Sequence, residues 1–226
     1  MGENAAVIAL AGNPNCGKTS LFNFITGSRQ RVSNYPGVTV EKKEGTVRVN
    51  DAVVTFLDLP GTYSLSPYSP EEHIAMREII SDKVSGIIIV VDTTRLIRNL
   101  YLVSQILETG KQAVVALNMF DEFEASGSAL DIEHLSEILG VPCVKTVGNR
   151  GKGITELMST ALKAVRIEVT STGKPPHYSH EMEHAIDAVT KIILGKIPYN
   201  ERWAAVNLLH FGNAFPDKTL HLSINE

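Results

Sequence analysis

The sequence predicts an α/β fold: a mostly parallel sheet of six strands flanked by helices, followed by a small C-terminal helical appendage. Three observations carry this expectation. Short β-branched runs alternate with apolar stripes at helical spacing over the first 166 residues, the pattern of successive βα units. The runs at 86–92 and 113–118 are almost wholly apolar, as strands covered on both faces require. The composition then changes at Thr170, where Ser171-Thr172-Gly173-Lys174-Pro175-Pro176 reads as a linker or sharp boundary.

Taken in order, residues 7–11 read as a short buried strand running into a glycine-rich loop. A helix is expected over 18–26, where Leu21, Phe22 and Ile25 share one face. Residues 41–49 and 53–58 alternate as two strands around an Asn50-Asp51 turn. Residues 70–81 open with a proline and two glutamates, suited to the positive end of a helix. After the strand at 86–92, Leu96, Leu100, Val103 and Leu107 mark the next helix. The strand at 113–118, a helix over 132–139, a strand at 142–146 and a stripe through Ile154, Leu157, Met158, Ala161 and Val165 complete the pattern. Past the linker, Met182, Ala185, Ile186, Val189 and Ile193 form one amphipathic helix, and Trp203, Val206 and Leu209 a second. The division expected is 1–169 for the sheet domain and 170–226 for a small helical one.

The chain has 226 residues, 43% of them apolar, with a formal charge of −4. That supports a sizeable core and excludes a disordered or collagenous protein. The absence of a basic excess argues against general nucleic-acid binding. Two cysteines, Cys16 and Cys143, lie far apart, which fits a reducing compartment better than a disulfide framework. No apolar run approaches the ~20 residues needed to span a bilayer, so the chain as given is expected to be soluble.

Gly12-Asn13-Pro14-Asn15-Cys16-Gly17-Lys18-Thr19 matches the phosphate-binding loop GxxxxGK[ST], with a strand before it and a helix after. Glycines let successive N–H groups turn toward phosphate oxygens, and the helix N-terminus adds its dipole. Lys18 is expected to reach the β- and γ-phosphates; the Thr19 hydroxyl is expected to hold Mg²⁺, with Ser20 beside it. Asp58-Leu59-Pro60-Gly61 is a DxxG element. Asp58 would hold Mg²⁺ through water, and Gly61 would offer its N–H to the γ-phosphate. Between the two, the polar loop 28–39 ends in Gly37, Val38 and Thr39. Thr39 is the candidate second hydroxyl on Mg²⁺, ordered only by a γ-phosphate. The segment 62–70 would be its mobile counterpart. Asn118-Met119-Phe120-Asp121 stands at a strand end and resembles the guanine-reading NKxD motif. Asp121 would accept from guanine N1–H and N2–H₂, Asn118 would brace the loop, and Met119 would cover the base in place of lysine. A merely structural loop start is the alternative for this motif read alone. Together these elements point to a P-loop GTPase binding GTP and GDP.

Three longer stretches, GNPNCGKTSLFN, QRVSNYPGVTVEKKEGTV and DLPGTYSLSPYSPEE, resemble the N-terminal cytosolic part of the FeoB ferrous-iron transporters over residues 6–166. The resemblance implies a GTPase domain, a helical domain and a membrane transporter domain moving Fe²⁺. The chain would then be a piece of a larger protein at the cytoplasmic face of the bacterial inner membrane. It also implies that Asn15 binds K⁺, with backbone carbonyls near Ser33 and Tyr35, in the role of an arginine finger. Lys18, Thr39, Gly61 and Asn15 are thus the candidate catalytic residues. Thr62 stands where Ras-like enzymes carry a water-orienting glutamine and is too short for that job. Thr146-Val147-Gly148 occupies the place of the Ser/Thr-Ala element whose backbone meets guanine O6. With Met119, this departure implies weak nucleotide retention.

Several alternatives stay open. One is a ribosome-assembly or RNA-binding GTPase, which should carry a basic module; another is a GTP-binding switch with negligible turnover. Assembly into a homo-oligomer is also open. Cys16, at a helix N-terminus beside the phosphates, invites a redox reading, although a small side chain in a loop whose backbone does the binding is the simpler one. His180 and His184 share a helix face but are too few for a metal site.

Overall fold

The computed structural model describes residues 6–66, 68–166 and 173–212. In it, seven strands form one sheet: β1 (Ala6–Gly12), β2 (Gln30–Asn34), β3 (Glu41–Val49), β4 (Ala52–Asp58), β5 (Gly86–Asp92), β6 (Ala113–Asn118) and β7 (Cys143–Lys145). Their order is β2-β3-β4-β1-β5-β6-β7. β1 pairs in parallel with β4 and β5, and β5–β6–β7 continue in parallel. β2 and β3 add an antiparallel edge. The sheet therefore has one strand more than the six expected. The extra strand, β2, falls in the polar loop 28–39. Its residues Arg31 to Asn34 are all exposed, so no apolar alternation announces it. Pairing with β3 forms it instead.

Among the described residues there are eight α-helices: α1 (Lys18–Thr26), α2 (Pro70–Ile80), α3 (Leu96–Glu108), α4 (Phe120–Ala125), α5 (Ile132–Leu139), α6 (Ile154–Val165), α7 (His180–Ile193) and α8 (Glu201–Phe211). The short α4 was not expected; it starts directly after Asn118-Met119. Caps explain several boundaries. The Ser69 side chain accepts from the Glu72 N–H with Pro70 opening α2, and Asp131 caps α5, which ends at Gly140 with φ 70°. Asn200 caps α8 by accepting from the Trp203 N–H at 3.0 Å.

Strand alternation splits the core in two. Ile8, Leu10, Ile88, Val90, Val114 and Ala116 face α1 and α6, packing with Leu21, Phe22, Leu157 and Ala161. Ala9, Ala11, Ile87, Ile89, Val91, Val115 and Leu117 face the other way, toward α2, α3 and α5. That second cluster also contains Ile186, Ile193, Trp203 and Ala204 of α7 and α8. The helical pair is thus built onto the sheet's own core.

Polar ties reinforce this seat. Arg202 makes two bonds to the Glu183 carboxylate, 2.8 and 2.9 Å, and one to the Pro176 carbonyl. The Tyr178 hydroxyl donates to buried Glu108 at 2.9 Å. Ser171 and Thr172 of the expected linker, and the 169/170 boundary, lie outside the described residues. Gly173 abuts Leu107 so closely that a Cβ would lie 2.4 Å from Leu107 Cδ2. Among the described residues, no helix is long and apolar enough to cross a membrane.

Trp203 is 2% exposed within the shared cluster. Trp203→Ala should therefore lower the unfolding free energy by about 3–5 kcal/mol. Urea titration followed by far-UV circular dichroism checks this; a loss below about 1 kcal/mol would mean that the helices do not share the sheet's core.

Candidate nucleotide site

β1 delivers the chain to the sheet's C-terminal edge, where Gly12 begins a tight loop. A Cβ on Gly12 would lie 2.5 Å from the Val90 carbonyl oxygen, so the loop can leave the sheet here only as glycine. The Cys16 N–H closes the turn on the Asn13 carbonyl at 3.3 Å. Asn15 adopts φ 65° and Gly17 φ 83°, left-handed positions that favour asparagine and glycine. α1 then begins at Lys18 without a side-chain cap, leaving its first N–H groups directed at the loop's concavity. Asn13 Oδ1 is buried there with no hydrogen-bond partner among the described residues.

The β1–β4 register pairs Leu10 with Asp58, which brings the Asp58 carboxylate to the same edge. Lys18 Nζ pairs directly with Asp58 Oδ1, and both side chains are more than nine-tenths buried. Thr19 Oγ1 donates to Asp58 Oδ2 at 3.3 Å. Gly61 passes over the loop, where a Cβ would sit 3.3 Å from Pro14 Cα. The next amide, Thr62 N–H, donates to the Gly12 carbonyl at 3.2 Å. A cavity of about 550 Å³ lies over these groups, lined by Asn13, Pro14, Asn15, Gly17, Lys18, Thr19, Ser20, Gly61 and Met119.

A second cavity of about 110 Å³ shares Gly17, Ser20 and Met119 with the first and adds Asn118, Asp121, Glu122, Val147, Gly148 and Asn149. Asn118 holds its walls together. Its Nδ2 donates to the Cys16 carbonyl at 2.8 Å, and its Oδ1 accepts the Gly148 N–H at 2.9 Å. Met119 takes φ 56°, which turns the chain so that its side chain borders both cavities. Asp121 faces the smaller cavity, and Arg150 Nη1 stands 3.4 Å from its Oδ2.

The structure does not bring every candidate residue to these cavities. Gly37, Val38 and Thr39 are exposed on the loop between β2 and β3 and line neither one. Thr146 is buried and donates to Asn118 Oδ1 at 3.4 Å, behind the wall rather than on it. Cys16 lies in the core, 1% exposed. Sequence reasoning missed Glu122, Asn149 and Arg150, which belong to no motif; only their proximity to Asp121 and Gly148 in the chain hinted at them. Among the described residues, no three His, Cys, Asp or Glu side chains converge as a metal cluster.

The family model described as ferrous iron transport protein B matches residues 6–161. The chain belongs to the FeoB family. It is 45% identical over 218 residues to the Fe(2+) transport protein A/Fe(2+) transporter FeoB fusion protein of Porphyromonas gingivalis, covering 89% of this chain and 25% of that protein. It spans about a quarter of the length of the curated FeoB relatives it matches. A point mutant of S. thermophilus NFeoB bound to GDP superposes with a TM-score of 0.86 at 41% identity, covering 92% of this chain and 79% of that one. The cytosolic domain of the T. maritima FeoB iron transporter in a GDP form gives 0.87 at 36% identity, covering 91% and 82%. The fold is that of a P-loop GTPase.

Burial dominates the chemistry of Cys16. It pushes the thiol up to about 11, although the Lys18 backbone and charge pull the other way. The helix N-terminus thus does not activate this cysteine. At pH 8, iodoacetamide should modify Cys16 in the folded chain roughly a hundredfold more slowly than a free cysteine thiol. Equal rates, read by mass spectrometry of the Cys16 peptide, would contradict a buried, protonated thiol.

Proposed function

We propose that this chain binds GTP and GDP with Mg²⁺ and hydrolyses GTP, as the cytosolic nucleotide-binding part of a ferrous-iron transporter. The observation that carries the reading is the convergence of Lys18, Thr19 and Asp58 under a cavity that continues into the Asp121 pocket. The GDP of the S. thermophilus and T. maritima relatives supports the same ligand class. We assign the nucleotide chemistry to residues 1–169 and a helical domain to 170–226. The transporter is the partner expected in the remaining length of the FeoB relatives, with this part at the cytoplasmic face of the membrane.

In this reading the loop N–H groups and Lys18 bind the phosphates, and Lys18 exchanges its Asp58 partner for them. Thr19 Oγ1 and Asp58 Oδ2 present adjacent hard oxygen donors, the set Mg²⁺ prefers. Bound Mg²⁺ would neutralise charge on the β- and γ-phosphates. Gly61 offers its backbone N–H to the γ-phosphate, and Thr39 adds a second hydroxyl when its loop closes. Asp121 accepts from guanine N1–H and N2–H₂, Met119 covers the base face, and the Val147-Gly148 backbone borders its edge. Catalysis is then positioning and electrostatics around in-line attack by water.

Thr62 cannot orient that water as glutamine does: it is short, 4% exposed, and tied to Gly12 by its amide. Asn15 is the residue proposed to fill the gap by holding K⁺. Its side chain is exposed at the cavity and makes no hydrogen bond among the described residues, so its oxygen is free for a cation. GTP turnover with Mg²⁺ in matched KCl and NaCl should be faster in K⁺, and Asn15→Ala should lose the difference. Equal rates in both salts would remove K⁺ from the mechanism; no turnover in either would leave a GTP-binding switch.

A further inference from the structure

The loop that carries Thr39 buries one side chain, Tyr35. β2 runs antiparallel to β3 up to the pair Asn34–Glu41, and residues 35–40 close the hairpin. The Tyr35 N–H donates to the Val40 carbonyl at 3.0 Å, and the Val38 N–H donates to the Tyr35 carbonyl at 3.3 Å. Tyr35 alone is buried among residues 31–39; its neighbours on both sides are exposed. Its ring is 6% exposed, and Lys42 Nζ stands 5.9 Å from the ring centroid. Its hydroxyl is shut away from solvent without a hydrogen-bond partner among the described residues.

Two opposing effects meet here. Burying an aromatic ring anchors the loop. Burying its hydroxyl unpaired weakens that anchor, because the group loses water and gains nothing in return. The seat is therefore firm enough to hold and costly enough to leave. With Tyr35 so placed, Thr39 is exposed and lines neither cavity, and the Tyr35 carbonyl accepts the Val38 N–H.

We infer that Tyr35 is a positioning residue for GTP hydrolysis: its seated side chain holds the 35–40 loop back, and Thr39 reaches the Thr19–Asp58 pair only when Tyr35 leaves the core. The inference rests on the GTPase reading above. It differs from it in placing the switch equilibrium in a side chain that belongs to none of the nucleotide motifs.

Tyr35→Phe keeps the ring and removes the unpaired hydroxyl, so it should favour the seated loop by about tenfold. In the GDP-loaded chain, hydrogen exchange at amides 35–40 should slow. Single-turnover GTP hydrolysis should fall by a similar factor, with GDP affinity unchanged. Tyr35→Ala removes the anchor, and the same amides should exchange faster. A merely structural tyrosine would move melting temperature and GDP affinity together with turnover. Either change in Tyr35→Phe without the other overturns the inference, as does wild-type behaviour in both. If the wild-type chain itself does not turn over GTP, the GTPase reading fails. The exchange comparison between GDP and a non-hydrolysable GTP analogue still decides whether Tyr35 holds the loop.

Discussion

A single buried amide, Asn118, sets the geometry on which the candidate nucleotide site depends. It is 2% exposed at the end of β6. It spans from the phosphate-binding loop, through the Cys16 carbonyl, to the Gly148 turn after β7. Its own carbonyl accepts the Thr93 hydroxyl at 2.7 Å, which ties in the segment after β5. One residue therefore satisfies polar groups from three separate strand ends. Leaving any of those groups unpaired in the interior would cost about 1–3 kcal/mol. The closeness also dictates neighbours: a Cβ on Gly17 would lie 2.2 Å from Asn118 Nδ2. Glycine at position 17 is required by this contact as much as by its left-handed backbone.

The sheet makes that convergence available. Four parallel pairings align the C-terminal ends of β1, β4, β5, β6 and β7 along one edge. Loops from different strands then meet without long excursions, as open α/β sheets arrange their ligand sites. The opposite requirement holds for the antiparallel β2–β3 hairpin. It extends beyond the doubly covered core, its outer strand is exposed, and one aromatic side chain, Tyr35, is buried at its tip. The part of the site that converges on Asn118 thus rests on buried parallel strands, and Thr39 on a hairpin with little burial of its own.

Much of this was legible beforehand. The central strands and α1, α3, α5 and α6 follow from hydrophobic period alone, because burial on one or both faces leaves a direct imprint on residue choice. Lys18, Thr19 and Asp58 were legible as motif members, and the structure brings them into contact. β2 was not legible, since an exposed edge strand carries no alternation and forms through its partner. α4 was hidden by its brevity and by Met119, whose left-handed turn has no propensity signature. The burial of Cys16 and Tyr35 was equally hidden. Both sit in loops where sequence suggests exposure, and only long-range packing reveals that they point inward. The Arg150–Asp121 pair joins residues 29 apart in the chain by a contact that local pattern cannot express.

The central claim is that the cup around Asn118 presents Asp121 to guanine. Calorimetric titration of the chain and of Asp121→Asn with GDP, ADP and xanthosine diphosphate tests it most directly. On the proposed reading Asp121 accepts two N–H donors that only guanine offers together, so the wild-type chain should bind GDP well ahead of ADP. In Asp121→Asn, GDP affinity should fall by tenfold or more (about 1.4 kcal/mol). Xanthosine diphosphate should gain, because a carboxamide can donate to its oxygen. A variant that keeps the wild-type preference for GDP would show that Asp121 does not read the base.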